Sequence, residues 1–353
     1  MASTTHDLEG KEFLVIGGTQ FMGRHVVCSL RARGAHVTLL NRGKSSNPFA
    51  DDAHVRHLEC DRLNDRTRFR ELVGAGPPGS TESQGMWDAV IDFVCFRRKG
   101  MEDIVSQARC IRHYVFISTD SVFMACDPAH VLAQQGGSGL REDAVRPATS
   151  KEAKRAAKRK DPYQFEYGKG KLDCEFCLVE AARQGFVQYT ILRLPDVIGP
   201  WDNIASHLRV QETLESGTPV GVKIKAPCGR ISLAGAGDVA QAVIAVVQAG
   251  SRAYARTLHI ACTEQPTFAE YVRLVAAAIG KPALLDEHKE AEMVTVDVGP
   301  ICNGAALDLI AWQPTPLPQL VQATVEWYQA DTRNRRYHAA FDSDSSSSSS
   351  AAS

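Results

Sequence analysis

No apolar run in this 353-residue chain approaches the roughly 20 residues that a bilayer-spanning helix needs, so no membrane partner is expected. The opening stretch, MASTTHDLEGK, lacks the apolar segment of a secretory signal. An excess of either charge is also missing. Lys and Arg total 40 against 41 Asp and Glu, and a net charge of −1 excludes a generally basic nucleic-acid binder. Metal-ligand spacing is lacking as well. Ten cysteines are scattered, mostly through apolar segments, and Cys174-x-x-Cys177 is the one tight pair, with no companion Cys or His pair. No metal site is expected, and reduced core thiols fit a cytoplasmic protein. There is no internal repeat.

What is present is a globular composition, 44% hydrophobic and 23% charged, with length enough to bury a large core. Short apolar runs alternate with helical patterns. Runs at 13–16, 36–41, 54–60, 87–94, 113–118 and 188–194 read as strands. Residues 21–33 and 65–73, and a stretch ending near 111, read as helices. GAGPPGSTESQG, 74–85, reads as a flexible loop. Nearly continuous apolar strands of this kind indicate a parallel sheet covered on both faces. The expected fold is therefore α/β, a doubly wound (Rossmann) sheet over 11–200, after a tail at 1–10. A smaller α/β substrate lobe is expected over 201–330, with 238–261 returning to the first domain. Within 201–330, helices are expected at 203–216, 238–249, 267–279 and 317–329, and strands at 220–224 and 257–261. Residues 331–353, with the serine run 345–350, cannot bury apolar surface and are expected to be disordered.

The chemistry concentrates in two places. KEFLVIGGTQFMG, 11–23, places a glycine-rich turn between a strand and a helix. Such a turn bends sharply and lets backbone approach a pyrophosphate, while the helix N-terminus supplies free N–H groups. Gly17, Gly18, Thr19, Gln20, Phe21, Met22 and Gly23 are thus candidate cofactor contacts. The second strand ends in Asn41-Arg42-Gly43-Lys44, where binding of the NAD ribose would call for an acid. The Arg42 guanidinium suits a phosphate, which favours NADP over NAD. Farther on, Tyr167 and Lys171 stand four apart on a predicted helix and share a face. Moving a phenol from pKa about 10 to about 7 takes roughly 4 kcal/mol. A lysine ammonium about 4–5 Å away supplies energy of that order at intermediate dielectric.

GGTQFMG resembles the GGTGFIG-type turn of the short-chain dehydrogenase/reductase superfamily, extended branch, the NAD-dependent epimerase/dehydratase family. Gln20 stands where that branch usually has glycine. The resemblance covers about 11–328 and is best at the turn, at STDSVF (118–123), at YGKGK (167–171) and at LRLPDVIGP (192–200). It implies that Thr119 holds a substrate oxygen, Tyr167 transfers a proton, and Lys171 tunes the phenol and bonds the ribose. It also implies that Asp61 meets the adenine and that Pro195 and Val197 line the nicotinamide pocket. On the substrate side it implies Asp120, and Arg230 facing a substrate phosphate. STDSVF is similar to the STDEVY of sugar-nucleotide 4,6-dehydratases, but Ser121 replaces the glutamate base. Elimination of water is therefore disfavoured, and epimerisation, reduction or oxidation of a carbinol remains. The implied partner is a small molecule such as a nucleotide sugar, and relatives of this branch often form homodimers.

A rival reading begins at KEAKRAAKRK, 151–160, whose basic residues would share a helix face. GGTQFMG and VIGPWDN also resemble atypical members akin to chloroplast stem-loop-binding proteins, which use this fold to bind RNA. That resemblance implies an RNA-binding or regulatory protein with catalysis reduced or lost.

Overall fold

In the computed structural model, residues 7–78, 85–135, 139–224, 229–291 and 299–330 are described. The serine-rich stretch from 331 and the first six residues lie outside them. The strands are β1 (Glu12–Ile16), β2 (His36–Asn41), β3 (Val55–Glu59), β4 (Ala89–Asp92), β5 (Tyr114–Thr119), β6 (Tyr189–Leu194), β7 (Asp196–Ile198), β8 (Val220–Lys223), β9 (Leu233–Gly235), β10 (Arg256–His259) and β11 (Leu285–Glu290). The helices are α1 (Phe21–Arg31), α2 (Arg66–Gly74), α3 (Arg98–Val105), α4 (Pro128–Gln134), α5 (Lys151–Lys160), α6 (Pro162–Arg183), α7 (Ser206–Glu215), α8 (Ala236–Ala249), α9 (Phe268–Ala278), α10 (Gly304–Ile310) and α11 (Leu317–Ala330).

Seven strands form one sheet in the order β10-β6-β5-β4-β1-β2-β3, and every pairing in it is parallel. This is the doubly wound sheet that the alternating pattern implies. Successive side chains of a strand point to opposite faces. On β1, Phe13 and Val15 face a core with Val27 of α1 and Val243 of α8, while Leu14 and Ile16 face one with Phe69 of α2 and Leu178 of α6. Both faces are thus apolar and covered. The order reverses between β1 and β4, and it is outside such a crevice that ligands bind in open α/β sheets.

The second lobe has its own core, which Leu214, Val272, Tyr271 and Val325 help to form. Two short parallel ribbons, β7–β9 and β8–β11, support it. Between 238 and 261 the chain lies against the large sheet: α8 packs on α1, and β10 extends the sheet beside β6.

Several expected elements differ in detail. The helix expected to reach residue 111 stops at Val105, and a separate 3-10 turn covers Ala108–Cys110. The helix expected from 203 begins at Ser206, because Ala205 (φ 59°) takes a left-handed backbone conformation that interrupts it. Residues 151–183 form two helices. Asp161 breaks the run, and its carboxylate accepts from the Gln164 amide to start α6, with Pro162 at the first helical position.

Buried ion-pair chemistry ties α6 to the sheet. Glu175 of α6 accepts from Arg193 of β6 (Nη2, 2.7 Å; Nε, 3.1 Å) and from the Ser118 hydroxyl of β5 at 2.6 Å. Both charged side chains are about 5% exposed. Removing one partner strands the other charge in the core, which costs about 3–5 kcal/mol. Arg193→Ala should therefore lower the unfolding free energy by about that much in urea titration. A loss below about 1 kcal/mol, the level of a surface pair, would contradict this account.

Candidate active site

At the C-terminal end of β1 the chain turns sharply at Gly17, whose φ of 90° only glycine adopts readily. A side chain at Gly23 would collide with the Gly17 carbonyl, so the first turn of α1 can close on the loop only with glycine there. Together these residues form one wall of a cavity of about 330 Å³. Gly17, Thr19, Gln20, Phe21, Met22 and Gly23 line it, as do Asn41, Arg42 and Asp61 from the ends of β2 and β3. Gly18 does not. It packs the turn against Leu39, Val15 and Val27 behind the cavity. The Gln20 amide reaches across to the Ser45 hydroxyl at 2.9 Å.

The polar groups suit a dinucleotide. Asn41 Oδ1 accepts from the Gly43 amide at 2.9 Å and lies 2.8 Å from His57 Nε2, while its buried Nδ2 has no hydrogen-bond partner. A buried amide left so is costly and points to a ligand acceptor. Asp61 is held below the usual carboxylate range, chiefly by the Leu63 amide. Arg42 and Lys44 are exposed at the rim.

Residues that the sequence did not single out complete the cavity: Arg62, Phe93, Val94, Phe96 and Asn203. Arg62 is clamped on Asp92 at 2.7 Å, and Asp92 also accepts from the Tyr114 hydroxyl at 2.8 Å and the Val94 amide at 2.9 Å. An Asp at the end of β4 beside an Arg after β3 was the available signal. Pro195 and Val197 are not among the lining residues, and Val197 packs against the core instead. The loop that follows them contributes Asn203.

Thr119 ends β5, and Asp120 opens a 3-10 turn over Asp120–Ala125. Helix α6 lies directly on that turn because Gly168 has no side chain. A methyl group there would overlap the Ser121 carbonyl. This contact places Tyr167 near enough to Thr119 and Asp120 for both to shift its pKa. Ser121, in the place of a dehydratase base, bonds Gln164 at 3.0 Å and is buried.

The electrostatics correct the expectation for Lys171. Its Nζ donates to the Ile117 carbonyl at 2.8 Å and lies 4.7 Å and 4.8 Å from the ring centres of Phe96 and Phe116. It is only 2% exposed, and burial lowers its pKa. Its charge is not among the causes that shift Tyr167. Burial, and then the neighbouring Asp120 charge, push the phenol up to about 12, against a smaller lowering by Thr119. Burial likewise raises Asp120 to about 7, and it raises Asp196 well above the usual carboxylate range, with Asp120 and Asp202 adding to the shift.

Arg230 stands apart from all of these. Its Nη1 donates to the Gln265 carbonyl at 2.5 Å, beside a separate cavity shared with Glu264, Glu270 and Arg273. Among the described residues no cluster of His, Cys, Asp or Glu could hold a metal ion, and no helix is long and apolar enough to cross a membrane.

The model of the family described as "NAD dependent epimerase/dehydratase family" matches residues 13–260. A search of curated proteins found no match. Among solved structures, dTDP-glucose 4,6-dehydratase from Bacillus anthracis, in complex with NAD, superposes with a TM-score of 0.68 at 14% identity, covering 92% of this chain and 98% of its own. UDP-glucose 4-epimerase from Thermotoga maritima, with UDP-glucose, gives 0.65 at 17% identity, covering 90% and 99%. UDP-glucuronic acid 4-epimerase from Bacillus cereus, in complex with NAD, gives 0.65 at 16% identity, again covering 90% and 99%. At such identities the likeness is one of fold.

The buried carboxyls make stability depend on pH. The folded-state pKa of Asp120, about 7, lies above its ordinary value of 3.8, so the folded chain holds the proton longer than the unfolded chain does. Asp120 should therefore contribute stability that is lost as pH rises from about 4 to about 7, while the buried His113 and His207, whose pKa values burial lowers, contribute in the opposite direction. Asp202, raised to about 6, acts in the same direction as Asp120. Asp120→Asn should remove its contribution and make the slope of stability against pH less negative than in the wild-type protein. Denaturant unfolding at several pH values across that window measures it, and identical slopes in both proteins would refute the assignment.

Proposed function

The chain belongs to the NAD-dependent epimerase/dehydratase family, and from that premise we propose an NAD(P)-dependent epimerase- or reductase-like enzyme acting on a carbinol or carbonyl. The substrate we propose is a nucleotide sugar or a related small molecule. The observation that carries this reading is the placement of Tyr167 near Thr119 and Asp120, at the C-terminal edge of the same sheet whose β1 turn lines the first cavity.

The roles divide as follows. The Gly17–Gly23 turn, Asn41 and Asp61 hold the dinucleotide, and Arg42 meets a 2′-phosphate. When bound, the cofactor supplies the hydride acceptor or donor. Thr119 orients the substrate oxygen, and Tyr167 exchanges a proton between its hydroxyl and that oxygen. In the direction of oxidation the phenolate takes the carbinol proton as the hydride leaves carbon, and reduction reverses both transfers. Lys171 turns from the Ile117 carbonyl toward the ribose hydroxyls and the phenol. Ser121, bonded to Gln164, has no carboxylate with which to abstract a carbon-bound proton, which supports the exclusion of dehydration.

Titration with NADPH and NADH, followed by turnover of nucleotide sugars, tests this. Tyr167→Phe should keep dinucleotide affinity and lose turnover by about 10²–10⁴-fold. Arg42→Ala should weaken NADPH by about tenfold or more while sparing NADH, as expected for the removal of one charge-assisted bond. Absence of binding to either dinucleotide would end the proposal.

One observation favours a second reading, that of an RNA-binding or regulatory protein of the stem-loop-binding type. Lys151, Lys154, Arg155, Lys158 and Arg159 are all exposed on α5, and among them only Lys158 has an acidic ion-pair partner, Glu166, among the described residues. If that face binds RNA, replacing Lys151, Lys154 and Arg155 by Gln should flatten the log–log salt dependence by about 0.7 for each phosphate no longer neutralised. An unchanged slope would sink this reading.

A further inference from the structure

Two cavities flank the proton-transfer residues, and one residue lines both. The dinucleotide cavity, about 330 Å³, has neither Thr119, Tyr167 nor Lys171 in its lining. A second cavity of about 630 Å³ has Tyr167 in its wall, together with Arg97, Lys99 and Tyr163. Phe96 is the residue common to the two. Its ring centre lies 4.7 Å from Lys171 Nζ and 6.2 Å from the Tyr167 ring. The aromatic face thus covers the ammonium where the dinucleotide cavity ends.

The backbone at this point cannot move aside easily. The Phe96 carbonyl sits against Gly170, where any side chain on α6 would collide with it. The preceding residue, Cys95, is buried with its sulfur 3.8 Å from that of Cys174, and the Val94 amide is bonded to Asp92. The side chain is different: Phe96 is 47% exposed, so a rotation about χ1 starts from a ring already half in solvent.

We propose that Phe96 is a side-chain gate between the dinucleotide cavity and the Tyr167–Lys171 pair, one that the nicotinamide-ribose end of the cofactor must displace to reach Lys171. This rests on the reading of Tyr167 and Lys171 under Proposed function. The closed rotamer is held by the cation–π contact with Lys171, and the ribose hydroxyls replace the ring as the partner of the ammonium. A binding-competent state populated only in part lowers the apparent affinity of the whole dinucleotide. The adenine half alone does not reach the gate and does not sense it. Phe96 therefore acts as a positioning residue, setting how readily the nicotinamide end is admitted relative to the adenine end.

Calorimetric titration of the wild-type protein, Phe96→Ala and Phe96→Leu with NADPH, NADH, ADP and 2′,5′-ADP tests the gate. Phe96→Ala should bind its preferred dinucleotide about threefold to thirtyfold more tightly, the range that removal of one cation–π interaction implies, with ADP and 2′,5′-ADP unchanged. Phe96→Leu, which keeps bulk and loses the aromatic face, should fall between. A merely structural role would shift dinucleotide and half-molecule together, and that outcome overturns the gate. So does an unchanged dinucleotide affinity, or one selectively weakened in Phe96→Ala. Failure of every protein to bind either dinucleotide or either half-molecule overturns the cofactor reading itself, and the gate with it.

Discussion

The site depends on how closely α6 can approach the end of β5. Gly168 permits contact with the Ser121 carbonyl, and the buried Glu175–Arg193 pair, with Ser118, fixes the helix along the sheet. The two devices act at different heights on the same helix. Gly168 sets the distance at the level of Tyr167, and Glu175, two turns farther on, sets the orientation. Close helix approach and a buried ion pair are both costly to build, since one leaves no side chain to pack and the other desolvates two charges. Their joint product is the placement of Tyr167 near Thr119 and Asp120. Without it the phenol would be an ordinary helix residue.

That arrangement is assembled but not activated. In the absence of a dinucleotide the neighbourhood of Tyr167 raises its pKa, because burial and Asp120 both oppose a phenolate. Lys171 spends its proton donor on the Ile117 carbonyl and its charge on two aromatic rings. On the reading proposed above, a bound oxidised nicotinamide would bring a positive charge that favours the phenolate, and its ribose hydroxyls would offer Lys171 other acceptors.

Much of this was legible in the sequence, and the reasons are specific. Strands such as FLVI and HVTLLN are apolar on both faces, which only a covered parallel sheet satisfies. The glycine spacing of the first turn reflects the collision that any side chain at Gly23 would make. The direction in which Lys171 points was not legible. A spacing of four residues places two side chains on one face but does not say that Phe96 and Phe116 will hold the ammonium away. Phe96 itself sits in an irregular stretch, where an aromatic carries no periodic signal. Asn203 and the seating of Arg62 on Asp92 depend on loops and strand ends that meet only in three dimensions. The three-residue strands β7 and β9 are too short for alternation to register.

The segment joining sheet to second lobe shows why such loops matter. Between Gly199 and Ala205 three residues have positive φ: Gly199 at 136°, Trp201 at 62° and Ala205 at 59°. For the two non-glycine residues that conformation costs roughly 1–2 kcal/mol each, and it persists only where surrounding contacts fix it. The contacts come from α1. The Arg24 guanidinium lies 4.0 Å from the centre of the Trp201 ring, the His25 ring is 4.6 Å away, and His25 Nε2 lies 3.1 Å from the Pro200 carbonyl. These are residues of the helix whose first turn lines the cavity of about 330 Å³. The same segment sends Asn203 into the dinucleotide cavity and leads directly into α7 of the substrate lobe. A strained strap anchored on α1 thus links the large sheet to the second lobe.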